Sequence, residues 1–93
     1  MNPRIRRSVR VSNDLGLHLR AAGVLVQMAG GFTCEITLER DGGGGQRANA
    51  KSIMSVLALA AGRGTDLVVE AEGSDAERAV EALCALIDRG FES

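Results

Sequence analysis

Thr33 to Arg40 reads TCEITLER, and its strict alternation restricts the fold more than any other stretch of the sequence. Cys34, Ile36 and Leu38 point one way, while Glu35, Thr37 and Glu39 point the other. A strand of this kind has one dry face and one wet face, so the sheet it joins must be covered on a single side. Two other segments can share that sheet. Ile5 to Val11, IRRSVRV, puts Ile5, Val9 and Val11 on one face with arginines mostly opposite. Asp66 to Glu72, DLVVEAE, is a further strand. DGGGG and QRANA, after TCEITLER, predict a hairpin with a mobile glycine tip and a short return strand.

The cover comes from segments of helical period. In Leu19 to Ala29, Ala21, Ala22, Leu25, Val26 and Met28 or Ala29 recur at helical spacing, and Gly30 and Gly31 stop the helix. Ser52 to Leu59, SIMSVLAL, is a short helix with Ser52 as N-cap, ended by Gly62 and Gly64. SDAE at Ser74 to Glu77 is a capping box. It opens a third helix with an apolar stripe of Ala76, Ala79, Val80, Leu83, Ile87 and Phe91. The order β-α-β-β-α-β-α predicts an α+β fold, an open-faced two-layer sandwich. Its four-stranded, mostly antiparallel sheet carries three helices on one face. Residues 1–93 are expected to form a single domain.

Composition removes several function classes. The formal net charge of −1 gives no global attraction to nucleic acid or to anionic membrane. Arg4, Arg6, Arg7 and Arg10 are expected to be a solvated strand face, since the chain has only two aromatic residues and no nucleic-acid reader motif. No apolar run approaches the roughly 18 residues of a membrane span, and MNPRIRRSVRV lacks the apolar core of a secretory signal. A cytoplasmic location is expected. Cys34 and Cys84 sit in apolar patterns and are expected to be reduced core thiols, neither a disulfide framework nor a metal site. GGGGQR lacks the G-K-[ST] of a phosphate-binding loop, and no catalytic triad can be assembled around one histidine without a nucleophile motif.

That histidine, His18, lies in GLHLRAA, in a strand-to-helix turn at the start of the first helix. Helix N-termini carry unpaired N–H groups and a partial positive charge, which suits anions and disfavours an imidazolium. A neutral imidazole is a nucleophile near pH 7. A phosphoryl group placed on the ring could be held by backbone N–H groups and the Arg20 guanidinium, with Gly16 leaving room for a partner. By spacing alone, a surface or capping histidine is the plainer alternative.

The motifs together add to this. NDLGLHLRAA resembles the active-site stretch of the HPr family, the histidine-containing phosphocarriers of the bacterial sugar phosphotransferase system. ANAKSIMSVLAL resembles the regulatory-serine stretch of the same family. The spacing of the two motifs, the element order and the length also fit, and the resemblance runs from about Arg6 to Phe91. It implies that His18 is phosphorylated on Nδ1 by phospho-enzyme I, which is charged by phosphoenolpyruvate, and that the group passes to an EIIA domain. Arg20 matches the arginine that stabilises the phosphoryl group, and Ser52 the serine modified by HPr kinase/phosphorylase in bacteria that have it. Ile53, Met54 and Leu57 match apolar positions that dock partners, and Leu19 adds apolar surface beside them. The chain is expected to be a relay component that needs no cofactor and is no independent catalyst, and a monomer, since nothing in the sequence suggests more.

The chain departs from the family pattern in four places. Ala21 stands where many members have proline, Leu19 where a smaller or polar residue is common, and Ser55 where glycine often follows SIM. The glycine tip is also richer than usual. NDLGLH and LIDRGFES resemble the nitrogen-type carrier NPr, whereas NAKSIM resembles HPr with a regulated serine. An HPr-type carrier in a bacterium with a reduced, regulatory phosphotransferase set is the favoured branch. The alternative class is a regulatory binding module in which Ser52 phosphorylation controls docking and His18 is incidental. An intact G-L-H-x-R argues against that as the sole role.

Overall fold

β1 (Arg4–Arg10), β2 (Glu35–Arg40), β3 (Arg47–Asn49) and β4 (Asp66–Glu72) pair into one sheet in the order β1-β4-β2-β3. The computed structural model describes residues 3–41 and 46–92. The expected glycine tip at residues 42–45 lies outside the described residues. Every pairing is antiparallel. The last strand to be made, β4, is the inner one that joins β1 to β2.

Registers fix the two faces. Ile5 and Ile36 both oppose Ala71, and Val9 opposes Leu67. These side chains face α1 (Leu19–Ala29), α2 (Ile53–Ala58) and α3 (Ala76–Asp88). Ile36, Leu38, Leu67 and Val69 meet Leu25, Val56, Leu83 and Ile87 in a fully buried core. Burying such side chains is the main favourable term in folding, about 1.5–3 kcal/mol each. Both cysteines are buried and free, and burial pushes both thiols up from their ordinary range.

The other face is polar, but its arginines are not simply solvated. Arg4 and Arg6 both reach Glu70, at 2.8 and 3.2 Å, and Arg10 pairs with Asp66 at 2.9 Å. Three of the four β1 arginines thus pair with the acidic strand beside them. Arg40 points to the helical side and donates to the carbonyls of Leu59 and Ala60, covering the C-terminus of α2.

Three helix ends differ from expectation. α2 ends before its glycines: Ala60 takes the left-handed turn at φ 51°, and Gly62 does not. Ser74 does not cap α3, because Asp75 occupies the cap position and makes no side-chain bond to its own helix. Its carboxylate accepts from the N–H groups of Thr33 and Cys34 instead, at 2.8 and 3.0 Å. Phe91 lies beyond α3 at φ 66°, folding back so that its N–H reaches the Leu86 carbonyl at 2.9 Å. It still packs against the core, so the apolar stripe is continued by a turn and not by helix.

Candidate phosphoryl-acceptor site

The loop before α1 is shaped by Gly16. The Asn13 amide donates to the Gly16 carbonyl at 2.9 Å, and Gly16 adopts φ 63°. A Cβ there would collide with the Ala61 carbonyl and Gly62 Cα, so the position requires glycine for conformation and for space. The next residue is pinned to the same segment: the Leu17 N–H donates to the Ala61 carbonyl at 2.9 Å, and its side chain is buried. His18 follows with extended backbone and becomes the N-cap of α1.

The cap is made by the ring. Nδ1 accepts from the N–H of Arg20 at 3.2 Å and from that of Ala21 at 3.5 Å. An imidazole nitrogen that accepts carries a lone pair, so the ring proton belongs on Nε2. Capping and nucleophile, alternatives in the sequence, are therefore compatible: the bonds that cap the helix present an unprotonated Nδ1. His18 is half-buried, and Arg20 is exposed one turn-step away. Among the described residues no carboxylate pairs with the Arg20 guanidinium, which remains available to an anion. His18, Arg20 and Ala21 also form one side of a depression of about 530 Å3, faced by Leu86, Arg89 and Phe91 from the end of α3. No acidic or cysteine-rich cluster able to hold a metal occurs among the described residues.

The expected docking residues divide into two pairs. Leu19 and Met54 are 66% and 74% exposed. Ile53 and Leu57 are half-buried and pack against the core, and a Cβ on Gly23 of α1 would touch Ile53 Cδ1. Ile53 thus holds α2 against α1, while Met54 beside it faces solvent. Leu15, which the turn pattern SNDLG concealed, is 75% exposed and extends the apolar surface into the loop before His18. Its only sequence signal is an apolar residue among turn formers with no pattern to bury it.

Ser52 caps α2, its Oγ accepting from the Ser55 N–H at 3.4 Å. Ser55, a departure from the family pattern, has a task of its own: its Oγ accepts from the Asn49 N–H at 2.9 Å and ties α2 to β3.

The family model for the PTS HPr component phosphorylation site matches residues 5–89. The chain belongs to the HPr family. It is 41% identical to a phosphocarrier protein HPr of Cupriavidus necator, over 94% of each chain. It is 38% identical to a phosphocarrier protein NPr of Shewanella violacea, over 96% of this chain and 94% of the relative. The crystal structure of an HPr from Bacillus anthracis superposes with a TM-score of 0.85 at 43% identity, covering 92% of this chain and 99% of that one. HPr-like architecture, an open antiparallel sheet with three helices, is thereby established. Identity does not separate HPr from NPr, since relatives of both names match along nearly the whole chain. No helix among the described residues is long and apolar enough to cross a membrane.

Proposed function

We propose that His18 is the phosphoryl acceptor of a relay, taking the group on Nδ1 from phospho-enzyme I and yielding it to an EIIA domain. The observation that carries this is the fork of two main-chain N–H groups on Nδ1 at the start of α1. It keeps the nucleophilic nitrogen unprotonated and places anion donors where phosphoryl oxygens would lie. Transfer of a phosphoryl group is mostly positioning and charge stabilisation, and Arg20 supplies the cation. Leu15, Leu19 and Met54 are the apolar contacts on which successive partners seat, Met54 adapting its flexible side chain to each.

The test is to mix the protein with enzyme I, magnesium and labelled phosphoenolpyruvate. Label that is acid-labile and alkali-stable, and that is absent from His18→Ala, is expected. No label from the host's own enzyme I would remove the carrier reading.

A second reading concerns Ser52. It stands at the start of α2, next to exposed Met54. A phosphate from HPr kinase/phosphorylase would be tolerated there, and its charge would change which partners dock. If the protein acts only as such a regulatory module, Ser52→Ala loses function and His18→Ala does not.

A further inference from the structure

We infer that Arg89, at the end of α3, seats an acidic side chain of the protein that docks over His18, and so helps to set which partners the carrier accepts. This rests on the reading that His18 takes a phosphoryl group from a protein partner.

The depression beside His18 has a cation on each side. His18 and Arg20 line it from the start of α1, and Arg89 and Phe91 from the end of α3, with Val24 and Met28 as apolar lining. Glu92 also lines it, yet among the described residues no carboxylate pairs with either guanidinium. The turn after α3 keeps Arg89 in this place. Gly90 and Phe91 both take left-handed backbone, at φ 70° and 66°, and the Phe91 N–H closes on the Leu86 carbonyl at 2.9 Å. A bulky residue rarely adopts that backbone, and packing of Phe91 against the core offsets the strain. A Cβ on Gly90 would stand 3.5 Å from Asn13 Cβ, so the turn rests on the loop that leads into His18. Nε of Arg89 donates to the Glu92 carbonyl, and the terminal N–H groups of its guanidinium have no partner among the described residues.

Docking makes that free cation consequential. A protein that brings a phosphoryl group in line with Nδ1 covers His18 with an interface of roughly 800 Å2 on each side, and the depression is covered with it. Arg20 is then engaged by the phosphoryl group. The Arg89 guanidinium would lose water and gain no counter-ion, which is costly for a charge. A carboxylate on the partner, reaching in over Val24 and Met28, removes that cost. Before contact, the two guanidinium groups make a local positive field on a chain whose net charge is −1, and this field steers an acidic face towards His18.

Arg89→Gln removes the charge and keeps an amide donor for the Glu92 carbonyl, whereas Arg89→Lys keeps the charge. Arg89 is exposed, so both variants should fold, and thermal melts check this. Uptake of label from phospho-enzyme I is measured over a series of carrier concentrations, at low and at raised salt. The inference expects Arg89→Gln to raise KM about fivefold at low salt with kcat little changed, and the difference to shrink as salt rises. Arg89→Lys should stay close to the wild type. The hydrolysis half-life of the labelled phosphoprotein should be the same in all three, because Arg89 serves the partner and not the phosphoryl group. A wild-type KM in Arg89→Gln, equal defects in both variants, or a shortened half-life overturns the inference and leaves the carrier reading intact. Failure of the wild-type protein to take label removes the carrier reading, and the inference with it.

Discussion

Asp75 holds Thr33 by two bonds, Oδ2 accepting from its amide at 2.8 Å and from its hydroxyl at 3.3 Å. The two residues lie 42 positions apart, and the contact fastens the start of α3 to the approach of β2. The Thr33 N–H, with help from Cys34, lowers the Asp75 carboxyl from 3.8 to about 2 against an opposing desolvation effect. Between those values the unfolded chain binds a proton that the folded chain does not. Stability from this group is therefore complete above pH 3.8 and is lost as pH falls towards 2. Asp75→Asn should melt lower than the wild type near neutral pH, and the gap should narrow below about pH 4. Thermal melts across that range check this, and a gap of constant size would contradict it.

Gly16→Ala should destabilise the protein by about 2–4 kcal/mol, from left-handed strain and from contact with the Ala61 carbonyl. Urea unfolding measures the loss. Phosphoryl uptake should fall in the fraction that remains folded, because the same glycine sets the path of the backbone into His18. Uptake per folded molecule equal to the wild type would show that the loop is not needed for placement.

Met54→Glu should leave stability within about 0.5 kcal/mol, as for other exposed positions. Transfer from enzyme I should slow about tenfold, the order expected for a contact near the centre of an interface. Stopped uptake at fixed enzyme I concentration reads the rate. Leu15→Glu, at a residue no motif singled out, should behave in the same way if the apolar surface extends into the loop.

Ser52→Ala and Ser52→Asp separate cap from charge. Alanine removes the acceptor for the Ser55 N–H and should cost about 0.5–1 kcal/mol. Aspartate keeps an acceptor and adds a negative charge beside Met54, so it should retain stability and slow transfer. Equal transfer rates for both variants would count against a charge-based switch at this serine.

The parts of the fold visible in the sequence are those with strong periodicity. TCEITLER, DLVVEAE and the stripe of α1 mark their elements because burial repeats along them. The order β1-β4-β2-β3 has no such trace, since it depends on pairings between distant segments. Ser74 was a reasonable cap by local pattern, but Asp75 takes the position and sends its carboxylate to another strand, a tertiary preference that a local motif cannot carry. The turn after α2 falls on Ala60 although glycines follow it, because Arg40, from the sheet, takes the carbonyls at that helix end. At the candidate site, the place of His18 at a helix start was legible, but that place alone favours a capping histidine, and the roles proposed for His18 and Arg20 rest on the resemblance of GLHLRAA to the family motif. Leu15 was hidden by turn-forming neighbours, and the second donor to Nδ1 is a backbone atom with no side-chain signature.

The position of β4 between β1 and β2 has a consequence for biosynthesis. A nascent chain that has passed Leu57 already contains His18, Arg20, Ser52 and the expected docking residues, yet β1 still lacks β4, its partner in the sheet. The histidine loop is fastened to Ala61, just ahead of that missing strand. A ribosome must therefore release most of β4 before β1 can join the sheet, although β2 and β3 can pair with each other before then.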